Sequence, residues 1–285
     1  MVRDALCATH GWAEDSVEIV PIRTTGDRVQ DRALAEIGGK ALWTKELDRA
    51  LTEGEIDCAV HSMKDVETLR PDSIRIAAML PRADVRDRLI GATSIDALPE
   101  NAVIGTSSPR RSAQLRRLRP DLRPVLFRGN VDTRLAKLAA GEVDATLLAA
   151  AGLDRLGRGD VGVAIPNDVM LPAPAQGAVG IEARAGDSRT LDWLAAIGDT
   201  PTLACVMLER ALLAALQADC HSPVAGLAVL DGDSVIIRAE LLAEDGSAYV
   251  EGQITGALDE PGIAAALARD LLARAAPAVR RLFAA

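Results

Sequence analysis

The sequence predicts an α/β protein of two lobes with mainly parallel mixed sheets, followed by a small α+β C-terminal domain. Three observations lead there. Short β-rich runs alternate with helically spaced ones through the first two thirds of the chain. That alternation builds sheets flanked by helices, with ligands at the carboxyl ends of strands. Two Pro- or Gly-containing breaks, Pro81–Asp87 and Leu171–Gly177, interrupt it. Beyond Thr200 the texture changes to one long helix, a hairpin and terminal helices.

Taken in order, Val17–Ile22, Asp57–Val60, Ile74–Leu80, Val103–Gly105, Val125–Arg128 and Ala145–Ala149 are apolar runs of strand length. Leu42–Leu51, Ser108–Leu118 and Thr133–Ala140 space their apolar residues as helices do, and Gly141 suits a helix stop. Ala178–Glu182 reads as a strand after the second break. Thr202–Leu216 is an amphipathic helix with Thr200 as its N-cap. Val224–Leu230 and Val235–Leu242, joined by Asp231-Gly232-Asp233-Ser234, form a hairpin. Ala264–Arg274 and Ala278–Phe283 close the chain as helices. Two crossovers between two lobes give a layout like that of periplasmic binding proteins, with a ligand cleft between the lobes. The expected domains are 1–82 with 176–197, 83–175, and 198–285.

The 285 residues hold three Trp, two Phe and one Tyr, so the cores must be built from aliphatic residues. The start carries no cationic segment leading into an apolar one, and no window approaches the roughly 18 apolar residues of a membrane span. A cytoplasmic protein is expected. The four cysteines, Cys7, Cys58, Cys205 and Cys220, lack the spacing of a zinc site or a disulfide framework. Cys58 falls in a strand, and Cys7 and Cys205 on helical apolar faces. The net charge of −9 argues against nucleic-acid binding. Between Arg82 and Lys137, however, twelve basic residues face six acidic ones, so this segment carries +6 and the rest of the chain −15. Eleven of the twelve are Arg, which grips carboxylates through paired hydrogen bonds. A small polyanionic ligand fits this asymmetry.

Four motifs carry chemistry. His61-Ser62-Met63-Lys64-Asp65 ends a strand, placing a carboxylate beside a lysine at a carboxyl edge; the plain alternative is a structural ion pair. Gly105-Thr106-Ser107-Ser108-Pro109-Arg110-Arg111 joins a strand to a helix start, where free N–H groups and hydroxyls attract anions. Arg128-Gly129-Asn130 with Arg134, and then Arg155, repeat the theme at later strand ends. Cys220 lies in the polar loop Ala218–Pro223, accessible to modification, with His221 beside it to favour a thiolate; on spacing alone it reads as a bystander.

These segments, with GGKALWTKEL (38–47), AAAGLDRLG (149–157) and LPAPAQGAVGIE (171–182), stand in the order and spacing of porphobilinogen deaminases. The chain resembles that family over nearly its whole length. The resemblance implies a monomeric transferase, hydroxymethylbilane synthase, that condenses four porphobilinogen molecules into a linear tetrapyrrole with release of ammonia, on the route to heme. It implies a dipyrromethane cofactor held by a thioether to Cys220 and a catalytic Asp65 that stabilises the azafulvene formed by deamination. It places cofactor contacts at Lys64, Thr106, Ser107, Ser108, Arg110, Arg111, Arg128, Gly129 and Asn130. Substrate contacts fall to Arg134, Arg155, Lys40 and Trp43, the last standing where the family has Phe. It implies no metal and no nucleic-acid or membrane partner.

The chain departs from the family pattern at three places. The family's first strand and its Arg/Ser loop have no counterpart at the start of this sequence, which points to a start assigned downstream or to a truncated enzyme. Ala218-Asp219 precedes Cys220 where Gly-Gly is usual, and Glu36 replaces a lysine. An impaired deaminase and a non-catalytic carboxylate-binding protein of two lobes are the competing readings.

Overall fold

The computed structural model describes residues 1–24 and 44–283. Its described strands form three sheets, and each sheet carries its own apolar core. The first contains β1 (Cys58–Ser62), β8 (Val179–Arg184) and β2 (Ile74–Met79), with β8 in the middle. The second runs in the order β5 (Arg123–Val125), β4 (Val103–Gly105), β6 (Ala145–Ala149), β3 (Asp87–Ile90), β7 (Val163–Ala164). The third is the meander β9 (Val224–Asp231), β10 (Ser234–Leu242), β11 (Tyr249–Ala257). The chain thus leaves the first sheet after β2, builds the second, and returns through β8. The two sequence breaks are the two crossings.

The mixed α/β class holds, with a refinement of how the strands pair. β4 pairs in parallel with β5 and β6, whereas β3 runs against both β6 and β7. Four of the five strands in this sheet therefore point one way. β8 likewise runs against β1 and β2, which share a direction. In both sheets the strand that reverses is the first one after a crossover, which enters from the opposite end. The consequence reaches the site: because β3 is reversed, its first residue Asp87 pairs with Ala149, the last of β6. Asp87 therefore sits at the carboxyl edge of the parallel strands.

Several boundaries differ from the sequence reading. Residues 17–22 form no strand: Pro21 lacks a ladder donor, and Ile19 and Val20 are exposed. The 125–128 strand lies slightly earlier, as β5. The 42–51 helix spans Lys45–Thr52, with residues 42 and 43 outside the described residues. The long helix begins at Thr200, and Asp199 rather than Thr200 caps it, accepting from the Thr202 backbone N–H at 2.9 Å. The last helix is Pro277–Arg280. Helices at Val2–His10, Ala150–Arg155 and Ser188–Ala195, and strands β3 and β11, add to what the spacing predicts. The 224–242 hairpin stands as predicted.

The small domain packs the Thr200–Leu216 and Ile263–Arg274 helices on its meander through Leu212, Leu216, Ile237, Leu241, Leu267 and Leu271, all essentially inaccessible to water. Burying such side chains contributes about 1.5–3 kcal/mol each. It also fixes the helix whose end presents Cys220.

Candidate active site

Four strand or helix ends converge on one cavity of about 370 Å³. From β1 comes the 3₁₀ turn Met63–Asp65. Met63 anchors it: its backbone N–H donates to Ala178 O at 3.1 Å, and its buried side chain lies where a Cβ on residue 180 would stand, which only Gly180 allows. Lys64 and Asp65 are thereby turned into the cavity. From β4 come Ser107 and Ser108, the latter capping the Pro109–Leu118 helix by accepting from Arg111 N. After β5, Gly129 and Asn130 line the cavity, and Asn130 caps the Val131–Ala139 helix through Thr133 N. Gly129 adopts φ +124, and a Cβ there would come within 2.7 Å of Thr133, so glycine is required. Cys220 enters from the loop after the long helix, which ends at Gln217 in left-handed conformation.

The cavity wall is cationic. Lys64, Arg111 and Arg134 all line it. Burial, then repulsion from Arg111 and Arg128, brings Arg134 down to about 10, opposed by Asp65. Its guanidinium donates to Gly129 O at 2.9 Å and Ser107 Oγ at 3.2 Å. Burial also lowers Lys64, against the pull of Asp65. Asp65 moves the other way: burial raises its carboxyl, opposed by Lys64, Arg111, a hydrogen bond from Ser62, and Arg134. A carboxylate set among cations and withdrawn from water is suited to exchanging a proton or stabilising a cation.

Cys220 is exposed within the cleft, yet its thiol is not activated. The enclosing protein, followed by Asp219 and Asp65, pushes it up to about 12. This corrects the expectation that His221 favours a thiolate. Asp219 instead accepts from the His221 backbone N–H at 2.8 Å and closes the loop on itself.

Other predicted contacts are placed differently. Arg110 reaches the cavity wall, but its Nη atoms are committed to Asp87, Gln114 and Leu171 O. Arg111 donates to Asp87 and Leu147 O. Burial by itself would raise the Asp87 carboxyl; the two guanidiniums and Gln176 instead hold it well below the usual carboxylate range. The sequence reading assigned Asp87 to a polar break and so missed the partner of this arginine pair. Thr106 is buried, its hydroxyl accepting from Ser108 N, and it does not line the cavity. Neither does Arg128, which is buried beside it, nor Arg155, which donates to Gly177 O at the second crossing. His61 turns away from the cavity to Glu182, 3.0 Å from Oε2. Lys40 and Trp43 lie outside the described residues. Among the described residues no cluster of three or more His, Cys, Asp or Glu could hold a metal. Thr68 and Arg210 also line the cavity; no local motif marks either.

Residues 1–192 match the family described as "Porphobilinogen deaminase, dipyromethane cofactor binding domain", and residues 203–273 match its C-terminal domain. The chain belongs to the porphobilinogen deaminase family. It is 58% identical to a porphobilinogen deaminase of Sphingopyxis alaskensis, over 100% of this chain and 91% of the relative. It is 51% identical to one from Paracoccus denitrificans, covering 96% and 88%, and 46% identical to one from Nitrobacter hamburgensis, covering 99% and 91%. An ancestral cationic amino acid solute binding protein matches with a TM-score of 0.41 and 16% identity over 68% of this chain and 76% of that one, a distance at which the likeness carries no argument. Family membership makes this deaminase a transferase, a hydroxymethylbilane synthase, acting on a small pyrrole, with a domain that binds dipyrromethane. The cavity fits such a group: a thiol stands at one wall, and Lys64, Arg111 and Arg134 supply the cations that pyrrole carboxylates need.

Proposed function

We propose that this deaminase condenses four porphobilinogen molecules into hydroxymethylbilane with release of ammonia, with Asp65 as its catalytic carboxylate and Cys220 as the thioether anchor of dipyrromethane. The observation that carries this reading is that Asp65 and Cys220 line one cavity together with Lys64 and Arg134. When bound, dipyrromethane supplies a primer with a nucleophilic pyrrole carbon. The chain's own residues do the rest. Lys64, Arg111 and Arg134 neutralise acetate and propionate groups, and Ser107, Ser108 and the 129–130 turn add hydrogen bonds. Asp65 accepts the substrate's pyrrole N–H. As the C–N bond of the protonated aminomethyl group breaks and its electron pair leaves with ammonia, the carboxylate stabilises the positive charge left on the ring.

Thr106, Arg128 and Arg155 support this site from behind, and Arg110 reaches its wall with its Nη atoms committed to protein acceptors. The units 1–82 with 176–197, 83–175 and 198–285 are taken as its domains, in keeping with one sheet each. We take it to work as a monomer in the cytoplasm, without a membrane partner; the lack of a nucleic-acid partner agrees with the net charge of −9.

Cys220→Ser, purified from a host that makes porphobilinogen, tests the anchor. The expected result is protein of unmodified mass and no turnover. A covalently attached pyrrole in that variant would overturn the assignment.

A further inference from the structure

The loop that follows Asp65 and the loop that carries Cys220 are joined by hydrogen bonds that the assigned chemistry does not use. Arg210, buried on the long helix, aims its guanidinium at three successive carbonyls beyond Asp65: Val66 O at 3.3 Å, Glu67 O at 2.5 Å and Thr68 O at 3.0 Å. Thr68 then donates its hydroxyl to Ala218 O at 2.8 Å, two residues before Cys220. Between Ala218, whose backbone N–H donates to Leu213 O at 2.9 Å, and Pro223, whose carbonyl accepts from Leu242 N at 3.1 Å, the 219–222 turn is closed on itself. Asp219 N donates to Ser222 Oγ at 3.1 Å, Ser222 N to Asp219 O at 3.1 Å, and His221 N to Asp219 Oδ1 at 2.8 Å. A turn bonded internally moves as a unit, and among the hydrogen bonds that hold its ends the one from Thr68 ties it to the segment that carries Asp65.

We infer that Thr68 is a positioning residue, which with Arg210 fixes the reach between the Cys220 anchor and the Asp65 carboxylate. This rests on the roles proposed for those two residues. If the anchor is held at a constant distance from the reacting carboxylate, each added pyrrole must be accommodated elsewhere. The wall left for it is built by the 107–111 and 129–134 segments, whose cations sit on separate elements. The anchor loop is then a fixed post.

Thr68→Val removes the donor while keeping the shape, and Thr68→Ser restores it. Two readouts test the inference. In apo-protein the Cys220 alkylation rate, followed by peptide mass, rises several-fold in Thr68→Val as the thiol leaves its enclosing wall and Asp65, and stays near wild type in Thr68→Ser. In protein loaded with cofactor, kcat of Thr68→Val falls on the order of tenfold or more with KM little changed, and Thr68→Ser recovers it. An unchanged alkylation rate and kcat in Thr68→Val would overturn the inference. So would a Thr68→Ser variant as impaired as Thr68→Val. If wild-type protein itself carries no pyrrole on Cys220, the anchor reading fails, while the alkylation comparison in apo-protein still decides whether Thr68 holds the loop.

Discussion

Arg110 Nη2 lies 2.8 Å from Asp87 Oδ2, and both side chains are closed off from water. The same carboxylate takes Arg111 at 2.7 Å and the Gln176 amide at 2.8 Å. One residue of β3 thereby orders two arginines of the second lobe and ties them to the second crossing. Removing one member of a buried pair leaves uncompensated charge, which costs about 3–5 kcal/mol. Asp87→Asn is expected to lose that much in urea unfolding, with product formation falling because Arg111 loses its bearing. Stability within about 0.5 kcal/mol of wild type, the range of a neutral surface change, would contradict the pairing.

The same pair predicts an acid limit. The folded Asp87 carboxyl lies below its unfolded value, so its stabilising contribution is complete above the ordinary carboxylate range and is lost as pH falls through the folded value. Wild type should lose stability below about pH 4 more steeply than Asp87→Asn. Parallel acid unfolding curves would argue against it.

Asp65 has the opposite sign. Its folded carboxyl is raised, so ionising it costs the fold stability as pH rises from the unfolded value through the folded one. Asp65→Asn should therefore melt no lower than wild type at neutral pH, while turnover falls by roughly 10²–10⁴. In wild type the acid limb of kcat should lie above the usual aspartate range. A large drop in melting temperature would instead mark Asp65 as structural.

Arg134 reaches the cavity with its guanidinium on two neutral protein acceptors, Gly129 O and Ser107 Oγ. A charged hydrogen bond is worth about 1.5–3 kcal/mol, so Arg134→Leu should raise KM by roughly 10–100-fold. Arg110→Leu should instead lower stability more than it changes binding. The reverse ranking would return Arg110 to the ligand.

The sequence made the alternating lobes, both crossings and the C-terminal hairpin legible, because local periodicity and turn residues encode them. It also picked out Lys64, Asp65, Ser107 and Arg134, since strand and helix ends concentrate polar groups where clefts form, whereas Cys220 stood out only through the family resemblance. Direction was beyond it: β3 is four residues long, and only pairing with β6 shows that Asp87 meets Arg110. Without that partner, Arg110 and Arg111 looked available to ligand. Thr68 and Arg210 escaped notice for a similar reason. Their partners lie 150 and about 143 residues away in sequence, and neither sits in a motif.

The central claim is that Cys220 and Asp65 serve one reaction in one cleft. Its most direct test is the intact mass of wild-type protein purified from a host that makes porphobilinogen. The expected result is a mass above the sequence value by one dipyrromethane unit, mapped to Cys220, and increasing in pyrrole steps when limiting substrate is added. An unmodified mass, or a pyrrole mapped to Cys7, Cys58 or Cys205, would contradict it.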